Sequence, residues 1–209
     1  MKLLLLLLAL PMIFDCCGND KRDDNGNVNI LDANGNVNIL DANFKAYLVG
    51  QFQNINFEED ININGDTEIQ VSEASAFNGA INCSSKNIAD LTGIEAFTAL
   101  TTLWCMNNLF TSLNLSKNTA LTELNCYKNP LTSLDVSKNF ALRYLYCWGN
   151  QLTSLNISGA YGLISLSCSD NQLTSLDVSK NLALKKLSCF GNKFDCDAII
   201  RRYGLNDYN

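Results

Sequence analysis

Hydrophobic and polar positions across residues 99–192 recur with a period of 21 residues. Each unit places leucine five and two residues before a cysteine, and asparagine three residues after it. The cysteines of the five units are Cys105, Cys126, Cys147, Cys168 and Cys189. A second half-unit, Leu-Thr-Ser-Leu, begins at Leu131, Leu152 and Leu173. A fixed period of this length predicts a solenoid of stacked coils.

The pattern around each cysteine predicts one short strand per coil. Alternate side chains of a strand face opposite sides, so Leu103 and Cys105 are expected inside and Trp104 outside. Stacked coils share one core, because a single 21-residue coil cannot bury its own apolar side. We therefore expect the cysteines to be free, reduced core residues about 4.8 Å from one another. The asparagine after each cysteine is expected to satisfy backbone groups at the following bend.

Short helical patterns flank the repeats. Phe44, Tyr47 and Leu48 have helical spacing in a segment that ends at Gly50. A second helix is predicted from Ser72, with this serine as its N-cap. These two helices are expected to cover the open first coil.

The repeat fails after Asn192, and residues 195–203 predict a helix that begins at Asp195 and ends before Gly204. Ile199, Ile200 and Tyr203 are expected to cover the last coil. This segment is the predicted C-terminal cap.

The repeated units resemble the bacterial leucine-rich repeat family, above all its 21-residue variety with the consensus L-x-x-L-x-C-x-x-N-x-L-T-S-L-D-V-S-K-N. The resemblance covers residues 79–194, with a looser first unit at residues 81–83. Residues 87–97 resemble an internalin-like repeat with a short helical return. The later units favour an extended return, which predicts flattened coils. The implied fold is a mainly β repeat solenoid with parallel strands and short helical caps at both ends.

The N-terminal segment resembles a bacterial lipoprotein signal. An apolar run over residues 3–14 is too short to span a bilayer and is followed by Cys16 and Cys17. Cys17 is the favoured lipidation site, because a small residue should precede the lipidated cysteine; Cys16 is the alternative. The resemblance implies an exported lipoprotein of the outer membrane or cell surface, touching the membrane only through lipid. Simple secretion is the other interpretation.

Residues 62–73 resemble an EF-hand-like calcium loop. The residues matching its ligand positions are Asn62, Asn64, Asp66, Glu68 through its backbone carbonyl, and Glu73. Asn62 departs from the aspartate that usually comes first, and Thr67 from the glycine of the sixth position. The alternative is a loop that only forms part of the cap. Calcium is the one cofactor considered.

These patterns give five segments. They are a signal peptide (1–17), a tether with a duplicated nine-residue sequence (18–40), an N-terminal helical cap (41–78), the repeats (79–194) and a C-terminal cap helix with its tail (195–209).

The composition argues against several classes of function. Lys and Arg number 15 against 21 Asp and Glu, so the net charge is −6 and nucleic-acid binding is disfavoured. Histidine is absent, which excludes Ser-His-Asp and Cys-His catalysis. No other catalytic constellation is found, and we expect no enzyme. The row of Lys117, Lys138 and Lys180 is expected to be a solvated surface.

The repeats differ from one another on the outward side of the cysteine strand. Large side chains there are Trp104, Met106, Tyr127, Tyr144, Tyr146, Trp148 and Phe190. Exposed aromatic clusters mark interaction sites, so this face is the predicted binding site. A protein is the favoured partner, and a glycan is the runner-up. Aromatic packing that only stiffens the sheet would instead give a structural or adhesive spacer.

Overall fold

The computed structural model describes residues 31–32, 34–50 and 67–207 of the 209-residue chain. Two helices come first, α1 (Ala42–Gly50) and α2 (Val71–Ala76). The repeats contain eight strands and one 3-10 helix (Ile94–Ala96). The strands are β1 (Ala80–Asn82), β2 (Thr102–Trp104), β3 (Glu123–Asn125), β4 (Ser133–Asp135), β5 (Tyr144–Tyr146), β6 (Ser154–Asn156), β7 (Ser165–Ser167) and β8 (Lys186–Ser188). Helix α3 (Cys196–Tyr203) and strand β9 (Asn206–Asp207) end the described chain.

The fold is a parallel-strand solenoid, as the period of 21 residues predicts. Seven strands form one sheet in the order β1-β2-β3-β5-β7-β8-β9, and β4 pairs with β6 in a second sheet. The register joins equivalent residues of successive coils, for example Leu124 with Leu145 and Leu145 with Leu166. Strand-like backbone therefore lies on both broad faces of the two coils that carry β4 and β6, which are flattened as expected. The 3-10 helix is the helical return of the first coil.

The core is a stack of leucines and cysteines. Leu103, Leu124, Leu145, Leu166 and Leu187 are fully buried. Cys83, Cys105, Cys126, Cys147 and Cys168 are buried free thiols. Burial raises the pKa of Cys83 to about 12 and that of Cys147 well above its usual value. These cysteines are therefore protonated core residues, as predicted from their position.

The sequence prediction was wrong for the last cysteine of the repeats. Cys189 is joined by a disulfide to Cys196, the first residue of α3. Both side chains are buried where the repeat ends. A thiol in the last coil has no following coil to stack on, and the cap cysteine occupies that place. The bond ties the C-terminal cap to the solenoid.

An asparagine ladder closes the bend after each cysteine strand. The Asn129 side-chain amide donates to the carbonyls of Cys105 and Cys126, at 3.1 and 3.0 Å. Its Oδ1 accepts the backbone N–H of Asn108 in the preceding coil, at 3.0 Å. The predicted role of this asparagine is thus confirmed. The residue two after each cysteine of the array has positive φ: Ser85, Asn107, Lys128, Gly149, Asp170 and Gly191.

The N-terminal cap covers the first coil through α1. Phe44 and Leu48 are fully buried, as their helical spacing predicts. Asp41 accepts N–H groups of the first turn, and its second oxygen accepts the N–H of Ala89 at 2.7 Å. The Tyr47 hydroxyl accepts the N–H of Asn82, at the open edge of the sheet, at 3.0 Å. The cap therefore satisfies edge groups of the first coil as well as covering its core.

Helix α2 begins two residues earlier than predicted, and the N-cap is Gln70 in place of the predicted Ser72. The Glu73 carboxylate accepts the Gln70 N–H at 2.9 Å, as in a capping box. This bond fixes the start of the helix upstream of the serine.

The second copy of the nine-residue duplication packs against the cap. Val37 is buried, and its N–H donates to the carbonyl of Ile69 at 2.8 Å. A Cβ atom at Gly93 would lie 3.0 Å from Cγ1 of Ile39. Residues 34–40 therefore belong to the folded unit, although the sequence predicts a tether over residues 18–40.

The C-terminal helix agrees with its predicted bounds. Asp195 caps α3 by accepting the N–H of Ala198 at 2.9 Å, and Gly204 ends it with positive φ. Ile199 and Ile200 pack on the core, whereas Tyr203 is exposed beside Arg202. The expectation that Tyr203 covers the last coil was wrong, because β9 pairs with β8 and covers that edge.

Among the described residues, no helix has the length and apolar character that crossing a membrane requires.

Candidate functional site

The outward side of the seven-stranded sheet, here called the strand face, is built by parallel pairing in register. Equivalent residues of neighbouring coils pair directly, as Glu123 does with Tyr144 and Asn125 with Tyr146. Because neighbouring strands lie about 4.8 Å apart, their outward side chains are in mutual reach. The predicted aromatic residues of three neighbouring coils therefore lie on one surface: Trp104, Tyr127, Tyr144, Tyr146 and Trp148.

Tyr127 and Trp148 form the centre of this surface. Their rings stack with centroids 4.3 Å apart and planes 16° apart. The Lys128 ammonium lies 5.0 Å from the centroid of the Trp148 ring. The positive charge near an indole is a cation–π contact, which favours this arrangement. Both rings are half-buried by their neighbours.

On the coil before that of Tyr127, the side chains of Trp104 and Met106 make polar contacts. The Trp104 indole N–H donates to Glu123 Oε1 at 2.8 Å. The Met106 sulfur accepts the Ser84 hydroxyl at 2.8 Å. Both side chains are half-buried.

The predicted set divides into two groups. Tyr144 is the most exposed of the set, with 39% of its surface accessible, and Tyr146 beside it is half-buried. Phe190 is separated from Trp148 by the coil of Ser169. It packs on the core and lines a depression of about 240 Å³ beside the Cys189–Cys196 disulfide. The structure therefore places the aromatic residues of the coils of β2, β3 and β5 on neighbouring coils and Phe190 with the C-terminal cap.

The coil of β7 carries no large side chain on this face. Ser165 is buried, and the Ser169 and Ser188 hydroxyls lie 2.7 Å apart. Strand β7 nevertheless pairs with β5 and β8 in the same register as the other strands. The fold therefore does not need aromatics at these positions.

The residues predicted for calcium fall in two regions. Asn62, Asn64 and Asp66 lie outside the described residues, as do Cys16, Cys17 and the signal segment. The Glu68 carboxylate forms an ion pair with Lys45 at 2.6 Å, and the Glu73 carboxylate accepts the Gln70 N–H in the capping box of α2. No group of three or more metal-ligating His, Cys, Asp or Glu side chains occurs within the described part of the chain. Calcium binding stays a prediction.

Sequence reasoning missed a second exposed apolar row. Phe140, Tyr161 and Leu182 have 54%, 58% and 91% of their surfaces accessible. They occupy one repeat position, at the corner before the cysteine strand, and we call them the corner column. The period of 21 residues already placed them in one row, but the inward Leu-Cys pattern gave no reason to examine that position.

Comparison with known proteins gives the fold. No family model and none of the curated proteins compared matches the chain. Among solved structures, a leucine-rich repeat protein of Leptospira interrogans is 20% identical with a TM-score of 0.59, covering 66% of this chain and 38% of its own. The internalin InlF of Listeria monocytogenes is 20% identical with a TM-score of 0.55, covering 80% and 55%.

The functional domain of InlJ from Listeria monocytogenes, which includes a cysteine ladder, is 27% identical with a TM-score of 0.48, covering 81% of this chain and 45% of its own. The chain thus spans between 38% and 55% of the length of these three proteins. At these identities the likeness concerns architecture. The chain has the solenoid fold of the bacterial leucine-rich repeat proteins that it matches.

Proposed function

We propose that this chain is a non-enzymatic leucine-rich repeat binding protein that recognises a protein partner through the aromatic part of its strand face. We further propose that it is exported and held by lipid at Cys17, or alternatively Cys16, on the outer membrane or cell surface. Its structural likeness to internalin-type proteins supports the general role of a repeat-based binding module.

The observation that carries the proposal is the stack of Tyr127 on Trp148 beside Lys128. The inward leucines and cysteines form the core without these rings, and β7 keeps its register with serines at the same positions. Large aromatic side chains that the fold does not require supply contact area at low entropic cost. They are suited to the centre of an interface.

The geometry favours a protein over a glycan. A sugar ring binds flat on an open aromatic face, and the stack already covers one face of each ring. Glu123 and Asn125 lie on the same face in β3 and supply polar groups on one side of the aromatic residues, as the polar rim of a protein interface does. A glycan partner is the competing outcome of the test, and a spacer without a partner is the third.

Trp148→Ala tests the proposal directly. The full chain and this variant are used as baits for surface extracts and on a glycan array, with Tyr203→Ala as the control for an exposed aromatic in the C-terminal cap. We expect a protein retained by the full chain and by Tyr203→Ala, with affinity for Trp148→Ala at least about 30-fold weaker. Equal retention by all three baits would refute the strand-face site. Selective glycan binding lost in Trp148→Ala would instead identify the alternative partner.

Lipid anchoring has its own test. Cells expressing the full chain are labelled with a fatty-acid analogue, alongside Cys16→Ser, Cys17→Ser and the double variant. Incorporation that is lost in Cys17→Ser and kept in Cys16→Ser is expected. Label unaffected by the double variant would refute the anchor and leave simple secretion.

A further inference from the structure

The corner column is the most exposed apolar surface of the described chain that the proposed strand face does not use. The rings of Phe140 and Tyr161 lie nearly parallel, with centroids 6.5 Å apart and planes 8° apart. Leu182 continues the row on the next coil, with 91% of its surface accessible. Thr119 holds the same repeat position one coil earlier and is exposed. Three large apolar side chains thus form a straight row along one edge of the solenoid.

Buried asparagines stabilise this edge on the coils of Phe140 and Leu182. Asn139 is fully buried, and its amide donates to the carbonyls of Leu115 and Asn118 at 3.0 and 2.9 Å. Asn181 makes the same two bonds two periods further on, to Ile157 and Ala160. Because the asparagine is fixed inside, the residue on each side of it is exposed. Lys138 and Phe140 are exposed on either side of Asn139.

The coil of Tyr161 lacks this lysine for a steric reason. Gly159 takes the position of Lys138, and a Cβ atom there would lie within 1.9 Å of the Ser137 carbonyl oxygen. Any side chain at residue 159 would therefore displace the coil. The row of lysines is interrupted because the coils approach one another closely, and the apolar row continues.

The three chain segments that carry the corner column contain charge of one sign. Residues 137–144, 158–165 and 179–186 contain no Asp or Glu, in a chain whose net charge is −6. The cations in these three segments are Lys138, Arg143, Lys180, Lys185 and Lys186, and all are exposed. Lys186 begins β8 on the strand face, and the other four are here called the corner cations. The acidic residues nearest along the chain, Asp135 and Asp177, accept backbone N–H groups of Ser137 and Ser179 at 2.8 and 2.9 Å. These two carboxylates also interact electrostatically with Lys138 and Lys180, so they offset part of the positive charge.

The exposed area of the corner column limits the kind of partner that can bind to it. Three side chains with these exposures present roughly 300–400 Å², whereas a stable protein interface buries about 800 Å² on each partner. A second copy of the chain would also bring corner cations against corner cations. An anionic lipid surface needs no matching shape, and it accepts apolar side chains at the headgroup boundary together with a surrounding ring of cations.

We infer that the corner column and the corner cations form a docking surface for a bilayer containing anionic phospholipid. Phe140, Tyr161 and Leu182 enter the boundary between headgroups and acyl chains. The lysines keep their ammonium groups at the phosphates and lay their stems along the apolar row. This contact adds to the lipid anchor and fixes which edge of the solenoid faces the membrane. The strand face, on a different side of each coil, is left open to a partner.

The inference is tested with a position-specific probe in the full chain. Cys16 and Cys17 are replaced by serine so that no lipid is attached, and an environment-sensitive fluorophore is placed on Thr119→Cys, beside the corner column. A second protein carries the fluorophore on Gln151→Cys, which is exposed at the far end of the cysteine strand. Vesicles of phosphatidylcholine alone and with 30% phosphatidylglycerol (about one anionic lipid in three) are compared.

We expect a blue shift at residue 119 with anionic vesicles only, and no shift at residue 151. Lys138→Glu with Lys180→Glu is expected to weaken the apparent vesicle affinity at least tenfold, and high salt should do the same. Phe140→Ser, Tyr161→Ser and Leu182→Ser together should abolish the shift. The matched controls are Lys86→Glu and Leu109→Ser, at an exposed lysine and an exposed leucine outside the corner. They should leave the shift unchanged.

Other results overturn the inference. If the emission of the probe at residue 119 does not change with anionic vesicles, lipid docking at the corner is excluded. Equal shifts at residues 119 and 151 would indicate contact through another part of the chain. A corner variant that loses protein capture in the bait experiment, with no effect on vesicles, would assign the corner to a protein. Failure of the Trp148→Ala test does not affect this result, because the probe reports on lipid alone.

Discussion

The ring of Tyr127 lies on the indole of Trp148, with centroids 4.3 Å apart, although 21 residues separate them in the chain. The separation is one repeat period, so equivalent positions on neighbouring coils bring the two rings together. Each ring is half-buried by this contact, which means that the stack belongs both to the sheet and to the proposed binding surface. Stability and binding must therefore be measured separately.

Removing either ring should reduce stability modestly. Trp148→Ala and Tyr127→Ala are each expected to lower the free energy of unfolding by about 1 kcal/mol, with a coupling of about 0.5–1.5 kcal/mol in the double-mutant cycle. Urea unfolding measures these values, and Tyr161→Ala provides a comparison at an exposed ring. A loss above about 3 kcal/mol with unchanged binding would make the stack a structural brace.

Breaking the Cys189–Cys196 disulfide should loosen the C-terminal cap. Cys196→Ser removes a cross-link across a short loop, for which chain entropy predicts a loss of about 2 kcal/mol. Hydrogen exchange should become faster in α3 and β8 and remain slow in β3 and β5, because the bond holds only the last coil. Uniformly faster exchange along the solenoid would contradict a local role.

Alkaline pH should destabilise the solenoid through its buried thiols. Burial raises the pKa of Cys83, Cys126 and Cys168 to about 12, so the unfolded chain loses these protons from about pH 9 while the folded chain keeps them. The contribution to stability is complete below pH 9 and is lost as pH rises, with a slope on the order of 1 kcal/mol per pH unit for each thiol.

The measurement is the free energy of urea unfolding between pH 8 and 11, in steps of about one pH unit. Alkylation of the cysteines from Cys83 to Cys168, mapped by mass spectrometry, should occur only as the chain unfolds. Cys147→Ala should flatten the slope by about one thiol's share. Alkylation of these cysteines in fully folded protein at about pH 10 would show that the ladder is open to solvent.

Close packing of coils makes Gly159 irreplaceable. Gly159→Ala places a Cβ atom against the Ser137 carbonyl, which is backbone and cannot move alone, so we expect a loss of about 2–4 kcal/mol. Gly162→Ala is the matched control, because its nearest contact is the Arg143 side chain at 3.1 Å, whose flexible end can shift. Thermal unfolding of the two variants compares the sites. Similar melting temperatures would show that the coils separate more easily than their packing indicates.

The repeat pattern was enough to predict the coil, its inward leucines and the free cysteines from Cys83 to Cys168. Each of these follows from the local alternation of a strand, in which every second side chain faces the core, repeated in every coil. Asn129 and its equivalents were predictable for the same reason, since every coil leaves similar backbone groups at the bend. The end of helix α3 at Gly204 was fixed by residues within its own turn.

Contacts between coils and caps were decided by the tertiary structure. The pairing of Cys189 with Cys196 depends on how α3 returns over the last coil, and burial of Val37 depends on where the cap folds back. The sequence shows that Phe140, Tyr161 and Leu182 share one repeat position. Only the structure shows that their side chains are exposed and that nothing in the described chain covers them. Periodicity determines which side of its own coil a residue faces. What lies against that side depends on segments distant in sequence, and their positions are set by packing and not by any local pattern.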